Sequence, residues 1–451
     1  MSVPLSLAYA VNRLQGYSTN YFRLETVNQS TATNFSTIQL NLPENSIVNL
    51  KSLALHMKAS TEGDITFTNV NSQQDTLHTM LPRMDQLIER MELYAGGIQC
   101  GSSGFQQYNT VSTVMRNTKT ELQRSVSYDR VLNNGEIVIN PLDYYETERP
   151  YILNNFMGLL GTSSPDYLST DLLPSMQLRL YLSGPEVLGA VQASRGVAAD
   201  LDTNASQSLI QAGRFVLNDL YFTVETITFA DGLFDAAIDR RIRDEGHIEV
   251  PFCNYYTFFQ TNSDLSQSTK FSLSSQSIDT LTAVHRPADY RQRPRGLIKI
   301  QNGMGDAYQP SYFNFYAGGV GSLQFNVNNM FVPNYRSNAL DAFNLLTIAK
   351  ADNYDPTAGC RTTSVNNWFN NFFQFMVRLN MPMDGMGTRN ISGLDSRGLA
   401  SQMYYQTEAS NNELDQIKFS ELGTVGNEVM IIAQCTSTLK IGSGRQIQVD
   451  I

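Results

Sequence analysis

Apolar and polar residues alternate with a period of two along much of this 451-residue chain, the pattern of strands that bury one face and wet the other. Met176–Ser183 is the clearest case. Met176, Leu178, Leu180 and Leu182 fall on one face and Gln177, Arg179, Tyr181 and Ser183 on the other. Gly184-Pro185 ends the run, because proline has no N–H to give to a ladder. Upstream, Phe35, Ile38, Leu40 and Leu42 predict a strand closed by Pro43. Ile47–Lys58 predicts another, with Val48 and Leu50, then Leu53, Leu55 and Met57, on alternate positions. Residues 60–80 read as a loop or short hairpin. Gln86–Gln99 predicts a strand carrying Leu87, Met91, Leu93 and Ile98 and ending at Tyr94-Ala95-Gly96-Gly97. Phe105, Tyr108, Val111 and Met115 recur at helical spacing. Asn133-Asn134-Gly135 is a hairpin turn, since Asn-Gly accepts positive φ cheaply. Residues 1–27 show little pattern and read as an extended arm.

Small and polar residues dominate 189–211, which reads as a linker. Within it, Asp200-x-Asp202-x-Asn204 looks like the start of a calcium loop. Ala205 stands where such a loop needs glycine, and Gln211 where it needs glutamate, so that reading fails. Strand pattern then resumes. Leu220, Phe222 and Val224 share a face, with Ile227 and Phe229 following after a phase slip, and Asp231-Gly232 turns the chain. Gly246–Gln260, Phe271–Ser277, Leu297–Gln301, Tyr312–Asn328, Phe372–Asn380, Glu428–Lys440 and Arg445–Ile451 predict further strands. Ser337 is expected to cap a helix reaching about Ala351, with Leu340, Phe343 and Leu346/Ile348 inward. Tyr-Ala-Gly-Gly occurs at 94–97 and at 316–319, an offset of 222 (316 − 94). With a helix after each copy and late strands closing each half, this suggests an internal duplication.

Composition narrows the function. Two domains fit the length. Charged residues make up 16% of the chain, against about 25% in average soluble proteins. Asn, Gln, Ser and Thr take their place and suit wide polar contacts between proteins. A net charge of -10 gives no general attraction to nucleic acid. No apolar run approaches the ~18 residues of a membrane span. Cys100, Cys253, Cys360 and Cys435 have no CxxC spacing and are expected as buried thiols. His56, His78, His247 and His285 include no HExxH pair, and phosphate-loop, dinucleotide-loop and GxSxG motifs are absent. No catalytic, cofactor-binding or metal residue is assigned. Asp143, Glu146 and Glu148 beside Tyr144 and Tyr145 read as a solvated turn. Arg240, Arg241 and Arg243, and Arg286, Arg291, Arg293 and Arg295, form two basic clusters. The second, four arginines over ten residues with two prolines, could meet phosphate or a membrane face; the plainer reading is a solvated loop or an ion-pair partner between subunits. Trp368-Phe369 with Phe372, Phe373 and Phe375 reads as core. These patterns reach a two-domain, polar-surfaced, all-β chain without an evident active site.

The stretch Phe156–Leu188 adds a resemblance. GLLGTSSPDYLSTDLLPSMQLRLYLSGPEVL closely resembles a segment of the major capsid proteins of Polintons, Polinton-like viruses and virophages. There a "GFLG…P…DTSLLP" loop leads into the last strand of the first of two jelly rolls. FVLNDLYFTVETITFADGLFDAAI and YAGGVGSLQFNVNNMFVPNY look like the opening strands and the mid-barrel hairpin of the second roll in the same family. The resemblance implies two consecutive eight-stranded jelly-roll β-sandwiches with short helices in the connecting loops. The arm and the linker, read from pattern and composition, have no specific match in that family; with them the expected division is an N-terminal arm at 1–27, a first roll at 28–190, a linker at 191–211 and a second roll at 212–451. It implies a structural protein of the virion, made inside the host cell, and not an enzyme. Three copies would form a pseudo-hexagonal capsomer of an icosahedral double-stranded DNA virus shell. Partners would be the other two copies, neighbouring capsomers, and penton and minor capsid proteins, without sequence-specific nucleic-acid binding. The arm would reach a neighbouring capsomer or the particle interior. Large insertions and elaborate outer decoration are not expected at this length. A minor vertex or receptor-binding capsid protein, and a carbohydrate-binding jelly roll, are the alternatives.

Overall fold

The computed structural model describes residues 17–450 apart from 69–73, 102–104, 117–147, 155, 193–212, 230–232, 263, 265, 289, 292–306, 309–310, 314, 317–318, 351–371, 382–390, 398–401 and 411–426. The hairpin at Asn133–Gly135, the Asp200–Asn204 string, the strand at 297–301, Trp368 and Cys360 lie outside the described residues.

Strands make two jelly rolls in succession. The first is built from β1 (Tyr17–Glu25), β2 (Thr37–Asn41), β3 (Ile47–Glu62), β4 (Ile88–Ala95), β5 (Ile98–Gln99), β6 (Arg149–Leu153), β7 (Met176–Leu182) and β8 (Arg214–Phe229). The second is built from β9 (His247–Asn262), β10 (Gln267–Phe271), β11 (Ile278–Pro287), β12 (Val320–Val327), β13 (Met330–Ser337), β14 (Phe375–Arg378), β15 (Met403–Ala409) and β16 (Asn427–Gly442). One sheet of the first roll has the order β1-β8-β3-β6 and the other β2-β7-β4-β5. The second roll repeats both, as β9-β16-β11-β14 and β10-β15-β12-β13. Every strand thus has a counterpart eight strands later. Shorter strands flank these ladders: Ala32–Thr33 joins β8, Tyr167–Ser169 joins β3, Phe105–Gln106 joins β4 and Ile447–Asp450 joins β16.

The duplication is real, but Tyr-Ala-Gly-Gly does not mark it. The tetrapeptide ends β4 in the first roll and precedes β12 in the second. The true correspondence runs at an offset of 232 (320 − 88). At that offset β4 and β12 share one burial pattern. Gly96-Gly97 then matches Asn328-Asn329, and all four residues have positive φ in the two hairpin turns, as such tight turns require. Gly96 is held to glycine further, because a Cβ there would lie 2.7 Å from Pro174.

Alternation placed the half-buried strands well. In β7 all four apolar residues are buried and the polar ones half-exposed. Ile38, Leu40, Leu42, Val48, Leu50, Leu53, Leu55 and Met57 are buried as expected. Phe35 is the exception, 69% exposed at a φ of 62° and outside β2. Residues 60–80 do pair as a hairpin, Asp64–Thr68 with Gln74–Met80. The helix α1 (Tyr108–Arg116) begins three residues after Phe105 and buries Tyr108, Val111 and Met115. Leu87 lies in a short 3-10 turn before β4. The helix α3 (Ala339–Lys350) is capped by Asn338, not Ser337. Asn338 Oδ1 accepts from the Asp341 N–H at 2.8 Å, and Asp341 returns a carboxylate to the Asn338 N–H at 3.1 Å. Leu346 faces inward, whereas Leu340 is 60% exposed.

The division into domains needs correction. β8 was expected to open the second roll. It pairs instead with β1 and β3 as the eighth strand of the first. β7 is therefore the seventh strand, not the last. Tyr17–Glu25, assigned to an arm, is the first strand and pairs along its whole length with β8. β8 changes phase at Asp219, φ 52°, between the inward pairs Phe215/Leu217 and Leu220/Phe222, and its ladder to β3 shifts register there and again between Thr223 and Glu225. α2 (Leu233–Glu245) then links the rolls. The resemblance also did not imply a small extra sheet, in which Gly189–Gln192 lies between Gln74–Met80 and Ala307–Tyr308. This sheet draws strands from both halves.

Candidate assembly surfaces

The rolls are tied along a polar and aromatic seam. β11 is buried at all ten positions, because both of its faces are covered. His285 points into its own roll, where Nε2 lies 2.7 Å from the Tyr405 hydroxyl and the ring meets Phe373 edge-on. Burial brings the His285 pKa down to about 4, so the ring is neutral near pH 7. The next residue, Arg286, points the opposite way, toward α1, and its side chain has no exposed area. Its guanidinium sits 2.6 Å from Glu428, 2.7 Å from Gln107 Oε1, and 3.5 Å from the centroid of the Tyr290 ring. Thr110 Oγ1 and the Tyr312 carbonyl each accept from it at 3.4 Å. α1 explains why so polar a helix is buried: Asn109, Thr110, Ser112 and Thr113 are as inaccessible as Tyr108 and Val111. It lies between its own roll and the Arg286 cluster.

Of the basic cluster at 286–295, the described arginines are Arg286 and Arg291, and both are held in ion pairs within the chain. Arg286 is a core residue. Arg291 crosses the seam to Glu89 at 3.0 Å and Glu186 at 3.6 Å. Burial raises the Glu186 pKa, and Arg291 partly offsets it. A cleft of about 380 Å³ opens beside this bridge, lined by Phe35, Glu89, Arg90, Tyr181, Phe259 and Arg291. The other cluster, at Arg240–Arg243, is an exposed helix face. There Arg240 pairs with Asp244 and Arg241 with Glu245, one turn apart.

The loop that carried the family resemblance is a second tie. Gly158 takes a φ of 74° and starts the one-turn helix Leu159–Thr162. A Cβ on Gly161 would lie 1.7 Å from the Phe156 carbonyl oxygen, so only glycine fits there. The turn places Thr162 and Ser164 against the outer edge of β9. Thr162 Oγ1 accepts from the Cys253 N–H at 2.8 Å, and the Ser164 N–H donates to the Pro251 carbonyl at 3.0 Å. Phe252 and Asn254 share the walls of a small cavity with Gln99, Cys100, Gly101, Leu159 and Leu160. A third contact joins Arg445 to Asn45 and Asp171.

Among the described residues no group of three His, Cys, Asp or Glu is arranged to hold a metal. Cys100, Cys253 and Cys435 are buried thiols, and burial pushes the Cys100 thiol up to about 12. Phe372, Phe373 and Phe375 are core. The exposed apolar side chains concentrate at two edges: Tyr17, Tyr21 and Phe22 on β1, and Met330, Phe331 and Tyr335 on β13. Sequence reasoning passed over both. Tyr21 and Phe22 were assigned to an arm, and Met330–Tyr335 was read only as the second half of a hairpin by resemblance, with no exposed apolar edge expected there.

No family model and no curated protein matches this sequence. Solved structures do. PBCV-1 VP54, fitted into a cryo-EM reconstruction of the virophage Sputnik, superposes with a TM-score of 0.61 at 9% identity, over 97% of each chain. The Faustovirus major capsid protein gives 0.56 at 8%, covering 95% of this chain and 91% of its own. The cryo-EM structure of Sputnik virophage gives 0.54 at 11%, covering 100% and 93%. At these identities the likeness is one of fold. This chain has the double jelly-roll fold that those capsid proteins share.

Proposed function

We propose that the chain is the major structural protein of an icosahedral virion of the Polinton-like and virophage group, acting as a closed trimer and not as an enzyme. One observation carries this. Two rolls with the same strand order are locked side by side by buried contacts, so one chain supplies two similar, unequal blocks. Three such chains place six rolls around one axis, and the closed symmetry stops growth there. Rings of that outline tile a hexagonal lattice. The solved structures of this fold include proteins described as major capsid protein and virus capsid. Few charges and many Asn, Gln, Ser and Thr side chains suit wide, wet contacts between capsomers and with penton and minor capsid proteins. The contact inside the trimer should bury roughly 2,000 Å² or more per pair, and contacts between trimers less. The test is the mass of the purified protein by light scattering, with negative-stain imaging. A particle of three chains, about 151 kDa from 50.4 kDa each, with a hexagonal outline supports the reading. A monomer at every concentration overturns it.

A further inference from the structure

β1 and β9 are the same strand of the two rolls, yet one is bare and the other covered. The correspondence can be set residue by residue. β8 and β16 align at an offset of 213, which puts their inward residues in phase: Leu220 with Ala433, Phe222 with Cys435, Val224 with Ser437. Phe22 pairs with Val224, and Phe252 pairs with Ser437. Phe22 and Phe252 are therefore equivalent, as are Tyr21 and Pro251, and Arg23 and Cys253. Phe252 has no exposed area, whereas Phe22 is 48% exposed and Tyr21 76%.

β9 faces the first roll of the same chain: the loop at 158–164 is bonded to its outer edge, and Gln99, Cys100 and Gly101 lie across a small shared cavity from Phe252 and Asn254. The second roll carries the counterpart of that turn. At the offset of 232, residues 99–101 become Phe331, Val332 and Pro333, of which Phe331 is 47% exposed and the other two half-buried. Each roll thus has a surface of the kind that meets its neighbour. Within the chain one donor and one acceptor are satisfied, leaving an open acceptor at β1 and an open donor at the β12–β13 turn. Among the described residues the outer edge of β1 pairs with nothing. Open strand edges and clustered exposed apolar side chains are features that proteins normally cover.

We propose that Tyr21 and Phe22 of one copy dock against Phe331, Val332 and Pro333 of the next, repeating head to tail the approach of residues 99–101 to β9. This rests on the trimeric reading and names its contact. A head-to-tail contact closes a ring when the rotation allows it, and the intrachain contact is already one step of that rotation.

The test mixes chains carrying Phe22→Cys with chains carrying Phe331→Cys under mild oxidation and reads disulfide-linked products on a denaturing gel. A linked pair of chains in the mixture, absent from either variant alone, is the expected result. A chain carrying both substitutions should give a covalent trimer. Cross-linking by Phe22→Cys alone would mean a symmetric contact and would overturn the proposal. In parallel, Phe331→Asp should raise the concentration at which trimers dissociate by at least about a hundredfold, with an unchanged unfolding midpoint because Phe331 is exposed. Trimers that persist in Phe331→Asp, without cross-links in the mixture, refute this contact and leave the trimer standing. A wild-type monomer at all concentrations refutes the trimeric reading itself.

Discussion

Replacing Glu428 by glutamine should strongly destabilise the second roll, because it strands the charge of Arg286 in the core. The two side chains approach to 2.6 Å, with none of the Arg286 side chain and 14% of the Glu428 side chain exposed. At an effective dielectric constant of ~20, Coulomb attraction at that distance is about 6 kcal/mol before desolvation is subtracted. Glutamine keeps the shape and one acceptor but removes the charge. The Gln107 and Thr110 acceptors remain, and neither carries a charge. Breaking one side of a buried pair costs about 3–5 kcal/mol, which for a domain of ~150–250 residues lowers the melting midpoint by about 6–20 °C. Scanning calorimetry on the full chain measures it. Since the pair is buried, the difference from wild type should hold in 1 M salt, where an exposed pair would be screened. The double change Arg286→Met with Glu428→Leu should recover most of the loss, because removing both charges removes the desolvation cost. A single-variant shift below about 2 °C would show that water reaches the pair and that the seam is not closed as described.

Leu180 has no exposed area at the centre of β7; Leu180→Ala should cost roughly 2–5 kcal/mol in urea unfolding, and a change of a few tenths would show the register to be wrong. Gly161→Ala should force the Phe156 carbonyl aside and loosen the loop from β9, costing about 1–3 kcal/mol; an unchanged midpoint would show that the loop yields freely. His285 contributes a pH dependence of definite sign. Its folded pKa of about 4 lies below the unfolded value of 6.5, so the unfolded chain binds the extra proton first. Its share of stability is whole above pH 6.5 and is lost as pH falls toward 4, by about 3 kcal/mol. Urea midpoints at pH 7 and pH 4.5 should converge in His285→Gln relative to wild type, and equal pH slopes in the two proteins would contradict the assignment.

Where a strand buries one face and wets the other, its sequence alone sufficed to find it. β3 and β7 were legible for that reason, as was the glycine-bearing turn after β4. The loop at 156–165 was legible as wording but not as geometry. That Gly161 bends it onto β9 emerges only when the second roll is in place. Alternation fails when both faces share one environment. β11, buried throughout, reads as neither in nor out, and Tyr17–Glu25, exposed on both faces in the single chain, reads as an arm. Arg286 looks like a surface charge until Glu428, 142 residues away, and Gln107 of the other roll are brought to it. The roll to which β8 belongs is likewise a matter of pairing. Its apolar face would fit either sandwich, and its hydrogen bonds to β1 and β3 place it in the first. Local pattern reports the solvent contrast across a single strand. Partnership between strands, and the burial of a charge between rolls, depend on residues far away in sequence, and only the folded chain brings them together.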